Sequence, residues 1–107
     1  MRPLRAMRII VMFDLPTLSE KEVKNANKFR KFLIKNGFIM MTFSVYCKLA
    51  INKSISESIK KLVQENVPPS GKIQLLEITE RQYTQIEYLL GDPQTLVIDD
   101  VDRYTEI

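Results

Sequence analysis

The hydrophobic and polar residues of this chain follow strand-like patterns in three places. Residues 9–13 are continuously apolar and rich in β-branched side chains, which predicts a central strand covered on both faces. From residue 38 to residue 49 apolar and polar side chains alternate, which predicts one long strand or two strands with a bend at residues 42–44. Residues 72–79 form a third stretch of strand type.

Two capping-box patterns between these stretches predict helices. Ser19 and Glu22 fit the N-cap and the third position of a helix that runs to about Asn36 and stops at Gly37. A second box at residues 54–57 predicts another helix, which ends before a Pro-Pro pair. The predicted apolar stripe of this second helix consists of Ile55, Ile59, Leu62 and Val63.

The order of these elements predicts an α/β (α+β) sandwich of the ferredoxin-like βαββαβ type. Residues 79–82 fit the cap of a short helical turn, and residues 86–90 and 95–98 are predicted to form extra C-terminal strands. One feature of the sequence disagrees with this fold. The fold requires a hairpin between the two helices, whereas residues 38–49 contain no typical turn residues.

A length of 107 residues fits one domain. We interpret residues 7–107 as that domain and residues 1–6 as an N-terminal extension, either native or a remnant that precedes a start at Met7. A domain of this size buries only part of its surface, which favours a homodimer. The N-terminal apolar run is too short for a signal or membrane segment, so we expect a cytoplasmic protein with no membrane contact.

Missing residue types exclude several kinds of catalytic site. The chain has no histidine, which excludes His-based triads, His general bases and an ordinary zinc site. The one cysteine, Cys47, lies in an apolar alternation and is predicted to be a buried structural thiol. Carboxylates that hold a hard metal ion are therefore the main route left to hydrolytic chemistry.

A row of lysines runs along the first predicted helix. The 16 Lys and Arg residues exceed the 13 Asp and Glu residues by only three, so the position of the charges matters more than their sum. On a helical wheel five of these lysines fall within an arc of roughly 80°. Such a row is typical of a solvated helix face or of a stripe that follows phosphate groups. It consists of Lys21, Lys24, Lys28, Lys31 and Lys35, and further candidates for phosphate contacts are Arg8, Arg2 and Arg5.

Two other charged residues have alternative roles. Arg30 falls in the same helical arc as the residues predicted to face the core, which are Val23, Ala26 and Leu33. A guanidinium there needs an anionic partner, either a carboxylate such as Asp14 or a phosphate of a ligand. Asp14 ends the central strand and is either a turn residue or a ligand for a Mg²⁺ ion shared across a twofold dimer. A C-terminal acidic group, interpreted as a solvated tail, comprises Asp99, Asp100 and Asp102.

An ordered set of short motifs resembles a known family. The motifs are VMFDLP at residues 11–16, KFRKFL at residues 28–33, GFIM at residues 37–40 and FSVY at residues 43–46. In this order they resemble the Cas two family of CRISPR-associated proteins, in particular the branch that accompanies type II-A loci. The likeness extends from about Met7 to Ile98.

The resemblance implies a ferredoxin-like homodimer whose C-terminal strands pair with the partner subunit's sheet. It also implies that the dimer bridges two dimers of the Cas integrase subunit and holds duplex DNA that is inserted as a spacer into the CRISPR array. The family is also labelled a metal-dependent endonuclease, which acts on RNA or DNA in different members. By the same resemblance the metal-binding residue is Asp14, and the supporting motif is Ser44, Val45 and Tyr46.

The chain departs from nuclease-active relatives at several polar positions. Ala26 and Lys28 stand where some relatives carry arginines, Met40 stands where an arginine often follows the glycine, and Thr42 replaces a glutamine. These departures weaken the case for hydrolysis more than the case for scaffolding. We therefore expect a spacer-acquisition scaffold that binds the backbone of duplex DNA. The alternatives are an endonuclease that acts through Asp14 on RNA or DNA and a regulatory dimer that binds no nucleic acid.

Overall fold

The computed structural model describes residues 5–93, which form a four-stranded antiparallel sheet with two long helices. The strands are β1 (Met7–Asp14), β2 (Ile39–Thr42), β3 (Val45–Ala50) and β4 (Lys72–Thr79). The helices are α1 (Glu20–Lys35), α2 (Lys53–Gln64) and the short α3 (Glu80–Thr84). The sheet order β2-β3-β1-β4 and the chain order βαββαβ confirm the predicted ferredoxin-like sandwich.

The hydrophobic core lies between the two long helices and one face of the sheet. Ile9, Val11 and Phe13 alternate along β1 and all point to this side. The ring of Phe13 lies 5.2 Å from that of Phe29 in an edge-to-face contact and 5.7 Å from that of Tyr46 in a stacked contact. Burial of each such side chain contributes roughly 1.5–3 kcal/mol to folding.

The opposite face of the sheet is also apolar, and neither α1 nor α2 covers it. Ile10 is buried there, while Ile39, Leu49 and Leu76 remain 45%, 43% and 48% exposed. Within the described chain the two long helices cover residues 9–13 on one face only, and on the other face, predicted to be covered as well, the short α3 approaches through Tyr83. The continuous apolar run of residues 9–13 reflects a sheet that is apolar on both sides. We call this surface the open sheet face, and its apolar members are Ile10, Met12, Ile39, Val45, Cys47, Leu49, Leu76 and Ile78.

The hairpin between the helices turns at Phe43 and Ser44. Ser44 has a φ of 66°, which is uncommon for a residue with a side chain, and a register shift precedes the turn. Ile39 faces Cys47 across the hairpin, so the alternation predicted over residues 38–49 belongs to two strands. The strand pattern could not show the reversal, because period-two alternation continues on both arms of a hairpin.

The two long helices differ in how well their starts were predicted. α1 begins at the capping box of Ser19 and Glu22, as expected. The N-cap of α2 is instead Asn52, whose side-chain oxygen accepts the N–H of Ile55 at 2.8 Å. The prediction of an N-cap at Ser54 is wrong because Asn, an equally good cap, stands two residues earlier.

The buried side of α2 is also rotated from the predicted stripe. Ile59 and Val63 are buried as expected, whereas Ile55 and Leu62 are exposed. Ser56 takes a buried place because its small hydroxyl group finds a carboxylate acceptor on β4.

The segment after β4 contains α3 at the predicted position. Residues 86–90 have no regular secondary structure, so the strand predicted there does not form in the single chain. A strand requires a neighbouring edge with which to pair, and within residues 5–93 this segment pairs with neither edge strand of the sheet, β2 or β4. The predicted strand at residues 95–98, the three aspartates after it and Arg2 lie outside the described residues. None of the helices in the described part of the chain is long and apolar enough to span a membrane.

Candidate nucleic-acid interface

The five lysines of α1 lie on its solvent side, nearly opposite the buried side. All five side chains are exposed. The buried residues of α1 are Ala26, Phe29 and Leu33, while Val23, which was predicted to face the core, is exposed. Among residues 5–93 no carboxylate lies within ion-pair distance of these five ammonium groups. We call Lys21, Lys24, Lys28, Lys31 and Lys35 the lysine row.

Two lysines of α2, by contrast, are paired within the fold. The Nζ atoms of Lys53 and Lys60 lie 2.8 Å and 3.0 Å from Oε1 of Glu77, and Ser56 donates a hydrogen bond to the same carboxylate. Hydrogen bonds from Lys53 and Ser56 are the main reason that the pKa of Glu77 falls to about 2. Glu57 lies 2.9 Å from Lys60 and 3.5 Å from Lys53, so two carboxylates balance the two lysines. The lysine row is therefore the more available positive surface for an external anion.

A groove of about 360 Å³ runs beside the lysine row, between α1 and the loop that follows α2. Three members of the row lie along it, and the half-buried ring of Phe32 lines it. This groove is not evident from the sequence, because the loop is far from α1 along the chain. The loop residues that line it are Asn66, Val67, Pro68 and Pro69.

Arg30 lies outside the lysine row, at the flank of the buried side. Its Cζ atom is 5.1 Å from the centre of the Phe43 ring and 6.0 Å from that of Phe13, and Nη1 donates to Asn27 Oδ1 at 3.1 Å. Its Nε is buried without a hydrogen-bond partner in the described chain. The predicted pair with Asp14 is wrong, because aromatic faces take the place of a carboxylate. A phosphate contact of Arg30 stays a prediction.

Arg8 is bound to partners inside the fold. Its Nε and Nη2 atoms donate to Glu80 at 2.6 Å and 3.2 Å, and its guanidinium lies 4.0 Å from the centre of the Tyr83 ring. The hydrogen bond to Glu80 raises the pKa of Arg8 further. Its Nη1 also approaches the sulfur of Cys47, which is the buried thiol that was predicted. Because this charge is paired on the open sheet face, we exclude Arg8 from the phosphate-binding set.

Asp14 is exposed at the end of β1, opposite Lys72 in the register with β4. Within residues 5–93 no group of three or more His, Cys, Asp or Glu side chains is arranged to hold a metal ion. One protomer therefore supplies fewer than three such ligands at this position, and a second copy of Asp14 can add another carboxylate to a Mg²⁺ site. Lys72 is a neighbour that the sequence alone does not reveal, because only the strand register brings it to Asp14.

Ser44, Val45 and Tyr46 support the end of β1 that carries Asp14. The carbonyl oxygen of Ser44 accepts the N–H of Phe13 at 3.0 Å, and Val45 continues the pairing of β3 with β1. Tyr46 is buried, with its ring stacked on that of Phe13. The motif thus fixes backbone and core positions beside the aspartate.

Comparison with known proteins shows the family. Residues 7–86 match the family model described as CRISPR associated protein Cas2. A protein of Treponema denticola is 42% identical over 91% of this chain and 96% of its own length, and one of Streptococcus mutans serotype c is 44% identical over 91% and 89%. A relative from Campylobacter jejuni is 39% identical over 94% and 76%. All three are named CRISPR-associated endoribonuclease Cas2. With these matches over most of its length, the chain belongs to the family of CRISPR-associated Cas2 proteins.

Proposed function

We propose that this protein is a dimeric scaffold in CRISPR spacer acquisition and that its lysine row binds the phosphate backbone of duplex DNA. The observation that carries the proposal is the row of five exposed lysines without carboxylate partners in the described chain. Lysine contacts to phosphates position a duplex without reading its bases. This property suits a scaffold that must accept spacers of any sequence.

The row is long enough to contact several phosphates. From Lys21 to Lys35 the helix rises by roughly 21 Å, and the two strands of a duplex together carry one phosphate charge per about 1.7 Å of axis. Because each strand winds around the duplex, a straight row of this length contacts only the phosphates on the side that faces it. If all five lysines are engaged, log affinity should fall with log salt concentration with a slope of about −4 to −5 per protomer.

The open sheet face supports the dimeric part of the proposal. It carries apolar side chains that are nearly half exposed, such as Leu76 and Ile39. A contiguous apolar surface of this kind marks an interaction site, and a twofold axis buries the same patch on both copies. The partners in this proposal are a second copy, the Cas integrase subunit and duplex DNA, and the protein works in the cytoplasm.

A pair of variants with equal charge loss tests the DNA contact. The first replaces two members of the row, Lys24→Gln with Lys31→Gln, and the control replaces two exposed cations elsewhere, Lys61→Gln with Arg81→Gln. Binding of a labelled duplex is titrated over a salt series from about 50 to 200 mM. We expect the salt slope of the row variant to become shallower by about 2, while the control keeps most of the wild-type slope. Equal losses in the two variants would contradict a specific role of the row.

Metal-dependent endonuclease activity is a second candidate function. It is favoured by the exposed carboxylate of Asp14 at the sheet rim and by the names of the relatives. One carboxylate, or two copies of Asp14 across a dimer, fits the one or two protein ligands that Mg²⁺ commonly takes beside water and phosphate oxygens. Such an ion, when bound, lowers the pKa of its water and stabilises charge on a phosphate. The chain itself contributes the carboxylate, and Ser44 and Tyr46 hold the neighbouring residue Phe13 in place.

Asp14→Asn separates this candidate from the scaffold. We expect the variant to keep the dimer and the duplex affinity of the wild type, because Asp14 belongs neither to the lysine row nor to the apolar members of the open sheet face. Labelled RNA and DNA are incubated with Mg²⁺ and run on a denaturing gel. Cleavage by the wild type that disappears in Asp14→Asn supports the nuclease function. Fragments that persist in the variant exclude a mechanism through Asp14.

A further inference from the structure

The groove between α1 and the loop after α2 has an aromatic wall that includes Phe32. A ligand that contacted the protein through its phosphates alone would make no use of this wall. We infer that this groove binds an unpaired nucleotide within a nucleic acid whose backbone lies along the lysine row. The inference rests on the proposed function and specifies one ligand for a site beside the row. The residues that carry it are Phe32, Asn66, Val67 and the lysines at positions 28, 31 and 35.

The aromatic wall is suited to stacking. Phe32 is half-buried, and its ring lies at 22° and 6.1 Å from the buried ring of Phe29, so the two rings form an offset stack. The inner ring is held by the core, which restricts the motion of the outer one. A nucleobase that stacks on Phe32 extends this pair, and stacking on an aromatic side chain accepts any base.

Charge at the groove selects an anionic ligand. Lys28, Lys31 and Lys35 line it, and no carboxylate residue lines it. Their ammonium groups can contact the phosphates on either side of an inserted base. The groove volume of about 360 Å³ lies in the range of small-ligand sites, which begins at roughly 300 Å³.

Two amide side chains add polar contacts to the apolar wall. Asn66 donates through Nδ2 to the carbonyl oxygen of Leu62 at 2.9 Å, which orients its Oδ1 and leaves that oxygen available. Asn25 lines the same groove from α1. Such groups can hydrogen-bond the edge of an unpaired base, whereas a paired base in a duplex is stacked and cannot enter.

The groove is thus more suited to an unpaired nucleotide than to a second protein copy. The apolar surface that a second copy can cover lies on the open sheet face, on the other side of the sheet from α1. The groove instead combines a half-buried ring with three lysines, which is the pattern of sites for single-stranded nucleic acid.

Two DNA probes and three variants test the inference. The first probe is an intact duplex. The second has the same sequence with a central gap of about three nucleotides, opposite which one strand carries the fluorescent base 2-aminopurine. Phe32→Leu removes the ring but keeps apolar volume, and Val67→Glu changes an exposed loop residue without touching the core. The matched control is Phe43→Leu, because Phe43 is an exposed ring outside the groove.

We expect wild type and Phe43→Leu to bind the gapped probe at least about fivefold more tightly than the intact one and to quench 2-aminopurine. Phe32→Leu and Val67→Glu should lose both the preference and the quenching, while Phe32→Leu keeps its affinity for the intact duplex. If Phe32→Leu does not fold, Val67→Glu gives the answer alone.

Each contrary outcome identifies what fails. Equal, salt-sensitive binding of both probes by the wild type would overturn the groove inference and leave backbone binding intact. A preference and quenching that survive in Phe32→Leu and Val67→Glu would also overturn it. Binding of neither probe would overturn the proposed function together with the inference.

Discussion

Ser44 connects the hairpin to the central strand through a left-handed backbone conformation. Among the described residues other than glycine, Ser44 alone has a positive φ, which is 66°. Its carbonyl oxygen accepts the N–H of Phe13. A side chain makes this conformation unfavourable, and branching at Cβ makes it more so. The backbone of the turn, rather than the Ser44 hydroxyl, is therefore what the fold requires at this position.

Substitutions at Ser44 should follow backbone preference. We expect Ser44→Gly to keep or raise the free energy of unfolding by up to about 1 kcal/mol, and Ser44→Val to lower it by about 1–2 kcal/mol. Urea denaturation measures both values. The control is Ser58→Val, at an exposed helical position where a positive φ plays no part. A Ser44→Val protein as stable as the wild type would show that the turn rearranges without cost.

Glu77 should make the free energy of unfolding depend on pH in the acid range. Its folded pKa of about 2 lies below the ordinary value of 4.5, chiefly because Lys53 and Ser56 donate hydrogen bonds to it. A depressed folded pKa stabilises the native state above the unfolded pKa, so this contribution is fully present above about pH 4.5 and is lost as the pH falls towards about 2.

Glu77→Gln removes that dependence. We expect the variant to be less stable than the wild type near neutral pH and to lose less stability than the wild type over the acid range below pH 4.5. Urea unfolding at a series of pH values measures the difference. Glu87→Gln, at an exposed site, serves as the control. Parallel pH profiles for wild type and Glu77→Gln would contradict the assigned role of the network.

Side-chain partners were the least predictable part of the candidate site. The sequence pattern places Arg30 near the buried side of its helix, but it cannot show that Phe43 rather than Asp14 comes to meet it. The pairing of Arg8 with Glu80 likewise depends on where α3 begins relative to β1. The lysine row was predictable because its members share one helix and need no partner to define their common face.

At the scale of elements, substitutions at two candidate N-cap residues test where α2 begins. Asn52 caps α2 through its side-chain oxygen, whereas no N–H of the described chain donates to the Ser54 hydroxyl. We expect Asn52→Ala to lower the free energy of unfolding by about 1 kcal/mol and Ser54→Ala to change it by less than about 0.5 kcal/mol. Chemical denaturation of the two variants distinguishes the caps, and a larger loss in Ser54→Ala would restore the helix start predicted from sequence.

Elements defined by local signals were predicted well, and those defined by pairing were not. The capping box of α1 and the positions of β4 and α3 follow from neighbouring residues. The start of α2 was ambiguous because two good capping residues compete within three positions. The hairpin at Phe43 was hidden because its turn residues are not typical. The groove could not be predicted at all, since it forms only when the loop at residues 66–69 packs beside α1.

At the scale of the whole molecule, two different surfaces lie on opposite sides of the sheet. The helix side carries the lysine row on the outward face of α1, and the other side is the open sheet face. Two copies that meet through their open sheet faces keep both lysine rows exposed. A DNA duplex can then contact one row while the apolar surfaces are shielded from water.

A charge placed on the open sheet face should therefore disrupt the dimer without unfolding the protomer. Leu76 lies on β4 and is 48% exposed in the single chain, so Leu76→Glu costs little in the monomer but buries a carboxylate in the dimer. We expect wild-type protein to have twice the chain mass of 12.5 kDa by light scattering, and Leu76→Glu to have the single mass with an unchanged circular dichroism spectrum.

The matched control is Leu62→Glu, the same substitution at an exposed position of α2. A wild-type monomer, or a dimer that survives in Leu76→Glu, would contradict association through the open sheet face.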